Sequence, residues 1–150
     1  MPYTLERAEE GELSRAYGSP GPLVTDGDVR VLEMGASLRY VARAYGLWPA
    51  APAAQAAIDR WIEVQHRRLG PAMRPPTPEA ARLLGILDAF LADRDWIAGD
   101  FSIAECSWSQ YAAPRTRAKL PLDGAPRVAA WLDRIAARPA FARAFAAVVP

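Results

Sequence analysis

The second half of the chain carries apolar side chains at helical spacing. Between residues 78 and 91 they recur at i, i+3, i+4 and i+7, which predicts an amphipathic helix with one buried face. Similar stripes run over residues 53–69 and onward from Pro126, and a last helix follows Pro139. Residues 53–150 are therefore predicted to be all-helical, with about five helices. The residues expected to face the core are Ala80, Leu83, Leu84, Leu87, Phe90, Leu91, Val128, Trp131, Leu132 and Ile135.

Prolines punctuate this helical part. Those from Pro71 to Pro76 are predicted to end the helix over 53–69, because a proline ring removes an N–H donor and blocks helix continuation. Thr77-Pro78-Glu79 then predicts a new helix start, with an N-cap, a proline at the first helical position and an acid in the first turn.

The first part of the chain carries strand and turn patterns. Residues 3–7 alternate apolar and polar side chains, which predicts a short strand. Residues 23–25 and 29–32 are rich in β-formers and flank Asp26-Gly27, a dipeptide typical of tight turns. An antiparallel hairpin is therefore predicted.

Helices are predicted on either side of this hairpin, over residues 9–17 and 35–45. The second is expected to end at Gly46 in the left-handed conformation. Residues 1–46 thus have the predicted order β-α-β-β-α, and residues 47–52 form a linker to the helical part.

Ser102 and Glu105 mark the start of another helix. The hydroxyl of Ser102 can accept from the Glu105 N–H while the Glu105 carboxylate accepts from the Ser102 N–H, which is a capping box. Phe101 and Cys106 are spaced to form a hydrophobic staple around the same turn. The helix is expected to run to about residue 113, and the residues 115–124 are expected to form a loop.

Composition narrows the classes of partner. The 150 residues contain 18 basic and 17 acidic side chains, a formal net charge of +1, with no dense basic run to follow a phosphate backbone. Nucleic acid is therefore an unexpected partner. One cysteine and one histidine exclude an internal disulfide and a Cys/His zinc site. Without a bilayer-length apolar run or a signal-peptide pattern, the chain is expected to be cytoplasmic and not associated with a membrane.

The capped helix, taken together with Trp131, Arg134 and Arg138-Pro139, resembles the C-terminal helical domain of the glutathione S-transferase family. Residues 59–73 also resemble bacterial transferases related to the yeast nitrogen regulator. The implied fold is predominantly α, a helical bundle preceded by a thioredoxin-like β-α-β-β-α remnant. The resemblance implies that this first domain is truncated, because the chain starts around the second strand of the family.

The same resemblance implies a glutathione site in the first domain. Pro22 falls where the family has a cis-proline, and the peptide at Gly21 would pair with the cysteinyl part of glutathione. Residues 32–40 resemble the glutathione-binding turn, with Glu33 on its acid. Met34 stands where the family has a serine that donates to the γ-glutamyl carboxylate, and a methionine cannot donate. Glutathione is thus the implied cosubstrate, with a weakened site.

No catalytic residue is assigned, because the thiol-activating residue of the family lies on its first strand. Trp108, Tyr111 and Arg115 fall where the family builds its pocket for the second substrate. The alternatives are core packing for Trp108 and solvent exposure for Arg115 and Arg117.

Two further side chains have open assignments. Cys106 could be a nucleophile near a helix N-terminus, where thiol pKa values fall, or a buried structural residue. His66, with Arg67 and Arg68, could act as a base or bind an anion, or could lie on a solvated helix end whose dipole the basic run complements.

The predicted function is that of a glutathione S-transferase-like enzyme. It would bind glutathione or a glutathione conjugate and act on a small hydrophobic electrophile by conjugation, thiol exchange or isomerisation. The alternatives are a non-catalytic interaction module and a pathway enzyme that no longer uses glutathione. The truncation that the resemblance implies would remove the family's first helix, which packs on the helical domain. A homodimer or a partner protein is expected to cover the apolar surface left exposed there.

Overall fold

The computed structural model of the chain describes residues 4–7 and 22–148. The predicted helix over residues 9–17 and the predicted site residue Gly21 lie outside the described residues. The chain divides into two compact units, residues 1–48 and 49–150.

The described residues of the first unit form a three-stranded antiparallel sheet in the order β1 (Thr4–Arg7), β2 (Pro22–Asp26) and β3 (Val29–Val31). Gly27, with φ of 56°, occupies the turn between β2 and β3, so the predicted hairpin is confirmed. Helix α1 (Met34–Tyr45) follows after a short connection, residues 32–33. It ends at Gly46 with φ of 69°, the left-handed cap that the sequence predicts.

The second unit is built from helices. In chain order its elements are α2 (Pro52–Val64), a π turn (Gln65–Leu69), α3 (Gly70–Ala72), α4 (Pro78–Phe90), α5 (Ile103–Ala112), the short α6 (Pro114–Arg117), α7 (Pro126–Ala136) and α8 (Pro139–Val148). The helical bundle predicted from apolar spacing is therefore present.

Helix α6 replaces the start of the loop predicted after α5. It begins at Pro114, because proline is well suited to the first position of a helix, and residues 115–117 are helical. From α6, Arg117 reaches α7, where its guanidinium pairs with Asp133 at 3.0 Å and donates to the Ala129 carbonyl at 3.1 Å. Arg117 is therefore tied to the bundle rather than free in solvent.

Three tryptophans form the centre of the second unit. The Trp108 ring lies 6.4 Å from Trp61 and 5.6 Å from Trp131, both edge-on, and all three side chains are buried. The predicted core residues between 80 and 91 and those of α7 are buried as well. The exception is Phe90, which is half-buried and packs its ring against the guanidinium groups of Arg60 and Arg94.

The helix over residues 53–69 does not end at Pro71 as predicted. A π turn replaces the last α turn, and the Gly70 N–H donates to the carbonyl of Gln65, five residues back. Pro71 then lies inside α3. The wider turn accommodates Pro71 because the hydrogen bonds no longer follow the i to i−4 pattern that a proline interrupts.

The two predicted caps have different outcomes. Thr77 is the N-cap residue of α4, but its hydroxyl donates to the Ala72 carbonyl at 3.2 Å instead of capping the helix. The capping box of Ser102 and Glu105 is present in both directions. Glu105 is fully buried, and its carboxylate also accepts from the Ile97 N–H at 2.8 Å.

None of the described helices is both long and apolar enough to cross a membrane.

Candidate functional site

The connection between β3 and α1 has an unusual backbone. Glu33 has φ of 71° and ψ of 133°, a backbone conformation that residues other than glycine rarely adopt. Such a conformation costs about 1–3 kcal/mol and persists only where the surrounding structure imposes it. Glu33 is the residue that the sequence places on the acid of a glutathione-binding turn. The strain therefore falls on a predicted site residue.

Glu33 is also the N-cap residue of α1. Among the described residues, its side chain makes no hydrogen bond to the first helical turn, and that turn contains no acid. The first N–H groups of a helix lack partners within the helix, and the helix dipole favours negative charge there. Met34, the first residue of α1, is half-buried, and its side chain adds no donor to the backbone N–H groups. This end of α1 can accept an anionic group through its backbone.

Pro22 begins β2, which pairs with β3, so it belongs to the same sheet as the strand that leads to Glu33. Its backbone is opposite Arg7 of β1. The peptide bond before Pro22 involves Gly21 and falls outside the described residues. The structure thus brings Pro22, Glu33 and Met34 into one unit.

The predicted pocket residues of the second unit lie in different environments. Trp108 is fully buried, and its indole N–H donates to the Trp61 carbonyl at 3.0 Å, so it packs in the core. Tyr111 is 7% exposed and lies 5.7 Å from the Trp108 ring, measured between ring centroids. Arg115 is exposed on α6. Because it is buried, Trp108 is a packing residue of the core. A pocket for a second substrate near Tyr111 and Arg115 stays a prediction.

A polar cluster that the sequence did not predict joins the π turn to α5. The Ser107 hydroxyl donates to the Gln65 side-chain carbonyl at 2.8 Å, and both side chains are buried. The His66 Nε2 atom lies 3.5 Å from the Ser107 oxygen. His66 therefore faces α5 rather than bulk solvent.

The two arginines after His66 differ in their contacts. Arg68 pairs with Glu79 of α4 at 2.7 Å, and Glu79 also pairs with Arg82 at 2.6 Å. Arg67 is exposed, with its guanidinium 4.0 Å from the Glu63 carboxylate one turn earlier. Of the alternatives that the sequence left open, the solvated helix end fits Arg67. Arg68 instead connects the π turn to α4.

Cys106 lies in an environment that disfavours the thiolate. Burial raises its pKa to about 11, and the neighbouring Glu105 carboxylate acts in the same direction. A thiol with so high a pKa is protonated and weakly nucleophilic at neutral pH. Of the two assignments left open by the sequence, the structural one fits this environment.

Asp88 is a further residue that the sequence reasoning missed. Its carboxylate accepts from the Arg127 N–H at 2.6 Å and the Val128 N–H at 3.1 Å, at the start of α7. The N-cap residue of that helix is Ala125, whose side chain cannot accept. Burial acts to raise the pKa of Asp88, but the hydrogen bonds from Val128 and Arg127 outweigh it and lower the pKa overall. An acid on α4 thus caps α7.

A cleft of about 340 Å³ lies beside this cap, between residues 91–95 and α7. Two of its arginines are each close to an acid: Arg94 to Asp93 at 3.1 Å and Arg134 to Asp95 at 3.8 Å. Across the described residues, no group of three or more histidine, cysteine or acidic side chains is placed to hold a metal ion.

Comparisons with known proteins identify the class to which this fold belongs. Glutathione S-transferase 3 of Zea mays is 31% identical over 159 residues, an alignment that covers 85% of this chain and 71% of the maize protein. The chain belongs to the glutathione S-transferase family. No protein-family model matches it.

Solved structures agree with this assignment. The theta class glutathione S-transferase of Xanthomonas axonopodis pv. citri, with glutathione bound, superposes with a TM-score of 0.71 at 26% identity, covering 89% of this chain and 77% of that one. An apo glutathione S-transferase III structure gives a TM-score of 0.74 at 27% identity, covering 95% of this chain and 80% of that one. The predicted family and predominantly helical fold are confirmed. Because plant and bacterial proteins both match, the bacterial subgroup stays a prediction.

Proposed function

We propose that the chain is a glutathione-dependent transferase that binds the γ-glutamyl end of glutathione at the turn formed by Glu33 and Met34. The observation that carries the proposal is the positive φ of 71° at Glu33, at the N-terminus of α1. Strained backbone is concentrated at ligand sites, where the strain helps to hold binding groups in place before the ligand arrives. The glutathione bound in the related Xanthomonas structure supports the same cosubstrate.

Two features of the turn suit this ligand. The γ-glutamyl residue carries a carboxylate, which the N–H groups and dipole of α1 attract, and an ammonium group, which an exposed carboxylate such as that of Glu33 can pair with. The peptide between Gly21 and Pro22 is proposed to bind the cysteinyl part. Met34 supplies no hydroxyl, so we expect the carboxylate to be held by backbone donors alone.

The reaction proposed is conjugation, thiol exchange or isomerisation of a small hydrophobic electrophile. Tyr111 and Arg115 are proposed to lie near that electrophile. Cys106 is not the proposed nucleophile, because its raised pKa keeps the thiol protonated. The thiol of bound glutathione is the nucleophile, and no residue is assigned to its activation.

Titration calorimetry with glutathione tests the proposal. Wild-type protein should release or absorb heat on binding, and Glu33→Ala should weaken or abolish that binding. Asp123→Ala, which removes an exposed acid from the second unit, is the matched control and should bind as wild type does. Absence of heat for the wild type at millimolar glutathione would overturn the proposal. Turnover of chlorodinitrobenzene would then separate catalysis from binding alone.

A non-catalytic interaction module is the second candidate, and the methionine at position 34 favours it. A methionine offers no hydroxyl donor, so it lacks a contact that a glutathione site would use. This candidate requires a homodimer or a partner protein, so light scattering that shows a strict monomer, with no protein co-purifying, counts against it.

A further inference from the structure

Ser37 bonds to the strained connection and to the strand that precedes it. It lies four residues after Glu33 on α1 and is 5% exposed. Its hydroxyl donates to the carbonyl of Val31, the last residue of β3, at 3.1 Å. Its backbone N–H donates to the carbonyl of Glu33 at 2.9 Å. One residue thus holds the end of the strand and the start of the helix.

The direction of the Ser37 hydroxyl is informative. A serine inside a helix often bonds to the carbonyl four residues earlier, which would here be a local helix contact. The Ser37 hydroxyl instead donates outside the helix, to the strand. Because serine is a poorer helix former than alanine, this position gains nothing from helix propensity. Among the described residues, the hydroxyl adds the contact with Val31.

A second hydrogen bond between helix and sheet lies further along α1. The Tyr40 hydroxyl donates to the Asp26 carboxylate at the end of β2, at 2.7 Å. That bond fixes the helix against the sheet, but neither partner belongs to the connection itself. One bond of Ser37 is to Val31, just before the connection, and the other is to Glu33 itself, so the two bear most directly on the conformation of Glu33.

We propose that Ser37 is a positioning residue that holds the turn of Glu33 and Met34 in the conformation that binds glutathione. This inference rests on the proposed function. Without the hydroxyl bond, Glu33 can relax from its positive φ, and the N–H groups of Met34 and Gly35 then no longer point together toward a ligand. Affinity falls in proportion to the fraction of molecules that keep the binding conformation.

The test compares Ser37→Ala with the wild-type chain by calorimetry and by amide hydrogen exchange. Loss of one hydrogen bond of ordinary strength should weaken glutathione binding about tenfold. Exchange at Met34 and Gly35 should become faster in the unliganded protein. Ser37→Thr retains the hydroxyl and should restore affinity. Should Ser37→Ala fail to fold, the nearly isosteric Ser37→Cys, a weak donor, replaces it.

Ala42→Gly is the matched control, because Ala42 is buried on the same helix and lies away from the turn. It should lower the melting temperature and leave glutathione affinity unchanged. Equal affinity and equal exchange in Ser37→Ala and wild type would overturn the inference while the proposed function stands. If the wild type binds no glutathione, the proposed function fails, and the exchange comparison alone decides whether Ser37 orders the turn.

Discussion

Removing the Asp88 carboxylate should destabilise the second unit far more than removing its arginine partner. The carboxylate accepts two backbone N–H bonds at the start of α7, at 2.6 and 3.1 Å, and pairs with the Arg127 guanidinium at 2.9 Å. Losing a helix cap costs about 0.5–2 kcal/mol, and a buried donor left without a partner costs about 1–3 kcal/mol. We therefore expect Asp88→Ala to lower the free energy of unfolding by about 2–4 kcal/mol.

The ion pair itself contributes little. The side chain of Arg127 is 53% exposed, and exposed pairs contribute about 0–1 kcal/mol. Arg127→Met should accordingly lower the free energy of unfolding by under about 1 kcal/mol, because Asp88 still accepts from the backbone N–H of residue 127. Asp88→Asn, which keeps an acceptor oxygen but loses the charge, should fall between the two variants.

Urea unfolding followed by circular dichroism measures these differences, with Asp123→Ala as the control for loss of an acid. The pKa of Asp88 is lowered in the folded state, so its charged form adds stability above the unfolded pKa of about 3.9. That stability is lost as the pH falls through the folded value. The gap between wild type and Asp88→Asn should therefore shrink below about pH 4. Equal costs for Asp88→Ala and Arg127→Met would refute the capping argument.

Three other outcomes are expected. Met34→Ser should tighten glutathione binding about tenfold or more in calorimetry, because one charge-assisted hydrogen bond contributes about 1.5–3 kcal/mol, and unchanged affinity would mean that the side chain at 34 does not face the ligand. Glu105→Ala should lower the urea midpoint sharply, since it leaves the N–H groups of Ile97 and Ser102 buried without their acceptor; a midpoint like that of wild type would contradict this. Alkylation of Cys106 should be slow near neutral pH and accelerate only as the pH approaches about 11, whereas fast labelling near neutral pH would show that its pKa is not raised.

Much of the fold follows from local sequence patterns. The longer helices of the second unit are visible as apolar stripes or from the capping box, which joins Ser102 to Glu105 in the first turn of α5. The short helices α3 and α6 are not visible in this way. Asp88 and Gln65 are not predictable in the same way, because each bonds to a partner 39 or 42 residues away, beyond the reach of any periodic pattern. Glu33 is placed by resemblance alone. No local rule assigns a positive φ to a glutamate, since that conformation is imposed by the surrounding structure.

The π turn has a consequence for how this chain is aligned with its relatives. A π turn holds one residue more than the α turn it replaces, so Gln65–Leu69 acts as a one-residue insertion within a continuous helix. Any relative whose helix is α throughout must therefore be aligned with a gap between Val64 and Gly70. Without that gap, every position on one side of the turn is aligned with a residue on the wrong helical face. His66 would then be matched with a residue of the relative that lies in a different environment.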